Sequence, residues 1–293
     1  MSRLLIVDGH AYAYRAFHAI RELRGPEGRP TNAIYGFVKM LQKMASALAL
    51  SHLIVVWDGG LDAGRVAAHP EYKSQRPEMP EDLRPQLDGL VDYLSAAGIA
   101  SFRGVGVEAD DYIACLARRA AAAGWNVVIA SADKDFMQLV TPQIGLLNPG
   151  DKLGMVWTRE QVVAKTGIEP EQVADWLALM GDAVDNIPGV PGVGPKTAAE
   201  LLKQFGSATA LLARLDEVKS EKLRASLQNS TAAVRRNLEL VRLREVPCEF
   251  SPEQLAPKPA DRNRLGGLFQ QWGFKGMLAE LETQPVERQA ELI

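Results

Sequence analysis

The sequence has 293 residues, 47% of them hydrophobic and 24% charged, with a formal net charge of −3. Those fractions are ordinary for a folded chain and exclude long disorder, collagen-like repeats and a fibrous coiled coil, while the length leaves room for two domains. A near-neutral total also excludes binding to nucleic acid by bulk charge, so any such binding needs a local basic groove. In chain order, a β-branched run predicts a strand at Leu4–Val7, followed by a helix that carries Arg15, and a second strand at Leu53–Trp57. Gly59 to Pro80 has Gly and Pro breakers, several basic residues and no apolar period, which predicts a long irregular segment of the functional kind. Leu83, Leu87, Leu90, Val91 and Leu94 recur at helical spacing between Pro80 and Gly98. A strand at Ala100–Phe102, a helix over Asp111–Ala122 and strands at Val127–Ala130 and Ile144–Leu147 follow. This alternation reads as an α/β fold with a parallel sheet. Past a boundary near Thr158–Ile168 helices dominate, around Pro170–Met180, Pro195–Phe205 and Ala232–Leu243. Leu268, Phe269, Trp272 and Phe274 are expected to pack back on the body, and Gln284–Ile293 to form a frayed tail.

Cys115 and Cys248 are the only cysteines, with no C-x-x-C and no histidine nearby, so neither a disulfide framework nor a zinc site is expected. The apolar run after Met1-Ser2-Arg3 is too short for a signal peptide, and no 18-residue apolar window exists. The expected location is therefore the cytoplasm. The four histidines do not converge in the sequence and read as surface or packing residues.

Acidic residues are the strongest chemical signal. Asp8 and Asp58 end the first two strands, and Asp133 and Asp135 follow a later one, so a parallel sheet would bring them to one edge. Glu108, Asp110 and Asp111 add three carboxylates at a helix start, and Asp182 and Asp185 add two at the spacing of one helical face. Any one of these alone reads better as a turn former or helix cap. Together they would repel and take up protons unless a cation sits among them. Oxygen-only ligands suit Mg²⁺ or Mn²⁺ rather than zinc, and two such ions about 3.5–4 Å apart could drive in-line phosphodiester hydrolysis.

The run Asn186 to Thr197 (NIPGVPGVGPKT) is rich in Gly and Pro between two helical patterns. It fails as a Walker A motif, because Pro195 separates Gly194 from Lys196 and no strand precedes it. A helix–hairpin–helix turn remains, whose Gly192, Gly194, Lys196 and Thr197 could hold a DNA phosphate through backbone N–H groups. Against this stands a plain helix–helix connection. In the irregular stretch, Arg65, Tyr72, Lys73 and Arg76 interleave basic groups with an aromatic, a pattern that tracks and stacks a nucleic-acid strand or simply forms a solvated loop.

Taken in order, LLIVDGHAYAYRAFHA, VVWD, EYKSQRPEMPEDLR, VEADD, SADKDFMQLVTP and LALMGDAVDNIPGVPGVGPKTAAELL closely resemble the 5′→3′ exonuclease domain of bacterial DNA polymerase I, within the structure-specific 5′ nuclease or flap endonuclease superfamily. The resemblance spans roughly residues 3 to 280. It implies a PIN-like nuclease core over residues 1–165, with a helical arch at about 59–98, then a helix–hairpin–helix DNA-binding region over 166–280 and a tail at 281–293. It also implies that Asp8, Asp58, Glu108, Asp110, Asp111, Asp133, Asp135, Asp182 and Asp185 hold two Mg²⁺ ions. Lys73, Arg76 and Arg15 would contact phosphates and Tyr72 would stack on a base. A potassium ion would sit on the backbone carbonyls of Leu179, Met180, Pro188, Val190 and Val193. The implied substrate is branched, flapped or nicked DNA, RNA primer 5′ ends included, cut by a monomer working beside a separate polymerase and ligase. That expectation of a separate polymerase rests on the polymerase and proofreading domains not following in this sequence. The competing readings are a PIN-type ribonuclease and a non-catalytic DNA-binding relative.

Overall fold

A computed structural model describes residues 2–151, 154–249 and 251–283. The expected tail at Gln284–Ile293 lies outside the described residues.

β1 (Arg3–Asp8) leads into α1 (Gly9–Ala19) and α2 (Asn32–Leu48), then β2 (His52–Trp57), α3 (Ala63–Ala68), α4 (Arg84–Ala96), β3 (Ala100–Arg103), α5 (Ala109–Ala122) and β4 (Asn126–Ala130). A 3₁₀ turn at Lys134–Leu139 precedes β5 (Ile144–Leu147) and β6 (Val156–Trp157). These six strands form one sheet in the order β3-β2-β1-β4-β5-β6, parallel except where β6 joins β5. The chain leaves β1 towards β2 on one side and later returns to β4 on the other. β1 therefore sits at the switch point, where a crevice opens beyond the strand ends.

Period-2 burial divides the sheet's side chains between two cores. Leu4, Ile6, Ile54, Val56, Val127 and Ile129 face α5 and the helices that follow, whereas Leu5, Val7, Leu53, Val55 and Val128 face α1, α2 and α4. Each fully buried aliphatic or aromatic side chain contributes about 1.5–3 kcal/mol, so both faces anchor the strand ends firmly.

After β6 come α6 (Arg159–Thr166), α7 (Val173–Met180), a two-residue ladder of β7 (Gly181–Asp182) with β8 (Ile187–Pro188), then α8 (Pro195–Phe205), α9 (Ala208–Ala213), α10 (Glu221–Asn229) and α11 (Thr231–Val241). The second region is thus helical apart from that ladder. α7 stops because Gly181 takes φ +81°, and a Cβ there would come within 2.4 Å of the Gly189 nitrogen. After α12 (Pro252–Leu255), α13 (Arg262–Trp272) and α14 (Lys275–Thr283) place Leu265, Phe269, Trp272, Phe274 and Met277 in the core of α2 and α4. These C-terminal helices therefore pack with the first half of the chain rather than with the helical region that precedes them. α14 also runs to Thr283, past the expected start of the tail. Among the described residues, no helix is long and apolar enough to cross a membrane.

Candidate active site

The crevice beyond the strand ends is a cleft of about 440 Å³, lined by Asp8, Asp58, Asp110, Asp133, Asp182 and Asp185 together with His10, Tyr14, Arg76 and Lys134. Each acid is held by its element's own terminus. Asp8 ends β1 and caps α1, its Oδ1 accepting the Ala11 N–H at 3.1 Å and its Oδ2 the Ser131 hydroxyl at 2.8 Å. Asp58 follows β2, its Oδ1 accepting the Gly60 N–H and its own N–H donating to His10 Nδ1, each at 3.0 Å. Asp133 caps the 3₁₀ turn and accepts the Asp135 N–H at 2.9 Å. Asp182 lies in β7 and Asp185 in the turn after it, not on one helical face as the spacing had predicted, because Gly181 ends α7 first. The turn nevertheless brings both acids into the cleft.

Asp135 completes a tight group. Oxygens of Asp135, Asp182 and Asp185 lie within 4.8 Å of one another, and Asp135 Oδ1 is buried without a hydrogen-bond partner. Crowding and burial show in the titration. Burial pushes Asp8 up to about 6 against its two hydrogen bonds, with Asp133 and Asp58 adding to the rise. Burial likewise raises Asp110, Asp133 and Asp135, and neighbouring carboxylates push all three further. Acids that resist ionising singly, with a bare oxygen among them, have the chemistry of donors to a hard divalent cation.

The basic residues answer this charge. Arg76 pairs with Asp185 at 2.6 Å, and Lys73 Nζ sits 2.6 Å from Glu108, 3.7 Å from Asp110 and 4.0 Å from Asp185. Burial alone would lower Lys73, but Asp110, Tyr72, Asp185 and Glu108 hold its ammonium charged well above the ordinary lysine value. Arg15 is exposed on α1, one turn beyond Ala11, which lines the cleft.

Four expected site residues sit elsewhere. Asp111 is buried in a bidentate pair with Arg65 at 2.7 and 2.9 Å and also accepts the Arg244 N–H, so it does not face the cleft. Arg65, expected on a DNA strand, is 2% exposed and also donates to the Leu240 and Arg242 carbonyls. The segment after β2, expected to be irregular throughout, carries α3 and is pinned at that residue. Tyr72, expected to stack on a base, is 4% exposed with its hydroxyl donating to Glu108. Glu108 itself takes Tyr72, Lys73 and Arg65 on one oxygen and the Asp62 N–H on the other, which leaves it poorly placed as a metal ligand. Burial pushes Glu108 up, yet Lys73 and Arg65 hold it below the usual carboxylate range.

Three residues that hold the cleft's acids escaped the sequence reading. Ser131 orients Asp8, Lys134 pairs with Asp182 at 2.8 Å, and His10, read as a packing residue, accepts from the Asp58 backbone. Lys134 could have been found, since it stands between two of the singled-out acids. Nothing local marked the other two.

At the hairpin, Gly192, Gly194 and Lys196 are exposed and Thr197 is half-buried. No side chain caps Gly194, and Trp176 Nε1 donates to the Pro195 carbonyl and fixes the start of α8. The start of α8 thus has no side-chain cap among the described residues.

Residues 3–167 match the family model of the 5′-3′ exonuclease N-terminal resolvase-like domain, and residues 168–263 that of the 5′-3′ exonuclease C-terminal SAM fold. The chain is 38% identical to a 5′-3′ exonuclease of Aquifex aeolicus over 283 residues, 96% of each protein. It is also 38% identical to DNA polymerase I of Bacillus caldotenax over 294 residues, 99% of this chain but 33% of that protein, so it spans about a third of the polymerase's length. The fold matches a bacteriophage T5 flap endonuclease in a pseudo-enzyme-product complex with DNA and metal ions, with a TM-score of 0.69 at 23% identity over 96% of this chain and 100% of that one.

Proposed function

The chain belongs to the 5′-3′ exonuclease family, and from that premise we propose that it cuts phosphodiesters near the 5′ ends of branched, flapped or nicked DNA with divalent metal ions in its acidic cleft. The observation that carries the reading is the convergence of Asp8, Asp58, Asp110, Asp133, Asp182 and Asp185 on one cleft, with the unpartnered oxygen of Asp135 beside them. All are hard oxygen donors, which fits Mg²⁺ or Mn²⁺. When bound, a pair of such ions supplies an activated water and stabilises the leaving oxygen. The chain's own residues do the rest. Lys73 and Arg76, at the edge of the acidic group, would hold the phosphate, and exposed Arg15 would contact the strand that enters. The turn from Gly192 to Thr197 offers backbone N–H donors and Lys196 to a duplex phosphate without reading its sequence.

Potassium on the hairpin carbonyls of Leu179, Met180, Pro188, Val190 and Val193 belongs to the same reading. Leu179, Pro188 and Val190 already accept N–H donors, so an ion would use their second lone pairs.

The test is a 5′-labelled flap duplex and a matched single-stranded RNA, each incubated with Mg²⁺ and with EDTA, for the native chain and for Asp133→Asn. Expected is metal-dependent cutting at the flap junction with little action on RNA, lost in Asp133→Asn while flap binding in EDTA stays within a few-fold. Full cleavage by Asp133→Asn would overturn the metal assignment. Preference for RNA, or tight flap binding with no cleavage by the native chain, would overturn the activity.

A further inference from the structure

The loop that carries Lys73 and Arg76 is tied to the hairpin by a group of contacts that neither the acidic cleft nor the DNA-gripping turn accounts for. Asn186 stands at the centre. Its side-chain Nδ2 donates to the Glu71 carbonyl at 2.9 Å, and its own carbonyl faces His69 Nε2 at 3.0 Å. A carbonyl can only accept, so Nε2 of His69 carries the proton. Next to it, the Lys73 N–H donates to the Asp185 carbonyl at 3.0 Å. Lys73 holds φ +55° and Asn186 φ +56°, a left-handed backbone that lysine enters at a cost and asparagine tolerates better. His69 is 9% exposed and Lys73 6%, so their bonds are partly shielded from water, whereas the bond from Asn186 Nδ2 to the exposed Glu71 lies at the surface. Asn186 is also only six residues before Gly192, the first residue of the exposed turn.

We propose that Asn186 and His69 are positioning residues, which clamp residues 69–73 to the hairpin and thereby hold Lys73 in its left-handed conformation over the carboxylates. The contacts run from the turn that would grip duplex DNA to the lysine that would meet the scissile phosphate. Placement of the one therefore fixes placement of the other. The inference rests on the reading above that Lys73 acts on the phosphate, and it adds two residues that act through Lys73 without touching DNA.

Asn186→Gly is the sharpest probe, because glycine keeps the positive φ and removes only the amide. His69→Phe removes the other donor, and His69→Gln tests rescue by a side chain that still offers an N–H. Each is measured alone and in a Lys73→Ala background, by single-turnover cleavage of the flap duplex, by flap affinity in EDTA, and by amide hydrogen exchange of a peptide spanning residues 69–76. Asn186→Gly and His69→Phe are expected to slow cleavage roughly five- to tenfold, the size of one or two lost hydrogen bonds. Affinity should stay within twofold, exchange over 69–76 should quicken, His69→Gln should recover part of the rate, and neither substitution should slow Lys73→Ala further. An unchanged rate or unchanged exchange would overturn the inference, as would an equal loss in the Lys73→Ala background, which would mean a general structural role. A loss confined to affinity would overturn it too. Full-rate cleavage by Lys73→Ala itself would refute the role of Lys73 in the proposed function and remove the catalytic consequence of the clamp, while hydrogen exchange would still report whether the clamp exists.

Discussion

Asp8→Asn should make the metal-free protein more stable at neutral pH, although it removes a residue from the centre of the site. In the fold the Asp8 carboxyl titrates at about 6 rather than the ordinary 3.8, with burial as the largest cause. A native-state value above the unfolded one means that the folded protein holds the proton more tightly. The neutral form's advantage is therefore fully present below about pH 4 and is lost as pH rises through about 6, leaving a cost of about 3 kcal/mol at pH 7. Asparagine has nearly the same shape and caps a helix as well as aspartate does, so it can keep the bond from the Ala11 N–H, while the Ser131 hydroxyl can turn to accept instead of donate. Allowing for some loss at Ser131, the gain at pH 7 should be about 1–3 kcal/mol, several degrees in Tm for a chain of this length, and should shrink towards zero near about pH 4. Thermal denaturation followed by circular dichroism, in EDTA across that pH range, measures it. Saturating Mg²⁺ should then reverse the order, since an ion that binds only the folded native chain adds about 2.7 kcal/mol at a hundred times its Kd. If Asp8→Asn were less stable than the native chain at pH 7 in EDTA, or its advantage did not change with pH, the reasoning about crowded, buried acids would fail.

Two further outcomes follow from the corrected positions. Arg65→Met should destabilise by about 3–5 kcal/mol in urea unfolding, because it strands the buried carboxylates of Asp111 and Glu108, and Arg65→Lys should recover only part, lacking the bidentate fork. Lys196→Ala should weaken duplex binding alike for all sequences and reduce the slope of log affinity against log salt by about one, measured by fluorescence anisotropy, and an unchanged slope would remove Lys196 from the interface.

The five parallel strands were legible because a parallel sheet writes itself as short β-branched runs, whereas the two-residue strands β6, β7 and β8 are too short to show, and strand ends on one edge converge whatever lies between them. Asp8, Asp58 and Asp133 could be brought together on that ground alone. The helix Asn32–Leu48 was not foreseen, since it starts without a side-chain cap and without an acid in its first turn. The segment after Asp58 was misread for a deeper reason. Its anchor is Arg65, a residue type that is almost never fully buried unless paired, and its partner Asp111 lies 46 residues away. Its breakers also hid the short helix α3 inside it, and composition carries no record of which charge meets which.

The doublet Asp110-Asp111 divides between two surfaces. Successive residues on a helix point about 100° apart, so adjacent acids in the first turn of α5 are able to meet different surroundings, and a carboxylate turned into a protein interior needs its own cation. Asp110 takes the cleft and carries the raised titration of an acid among acids, whereas Asp111 takes Arg65 and the Arg244 N–H. The same reasoning accounts for Glu108, whose oxygens are taken by Tyr72, Lys73, Arg65 and the Asp62 N–H. An acid already met by protein donors has little left for an ion. Asp8, Asp110, Asp133 and Asp135 are different: burial and mutual repulsion push all four upward in spite of the donors they have. Crowding and burial, rather than the number of carboxylates in the sequence, set these four apart from Glu108 and Asp111.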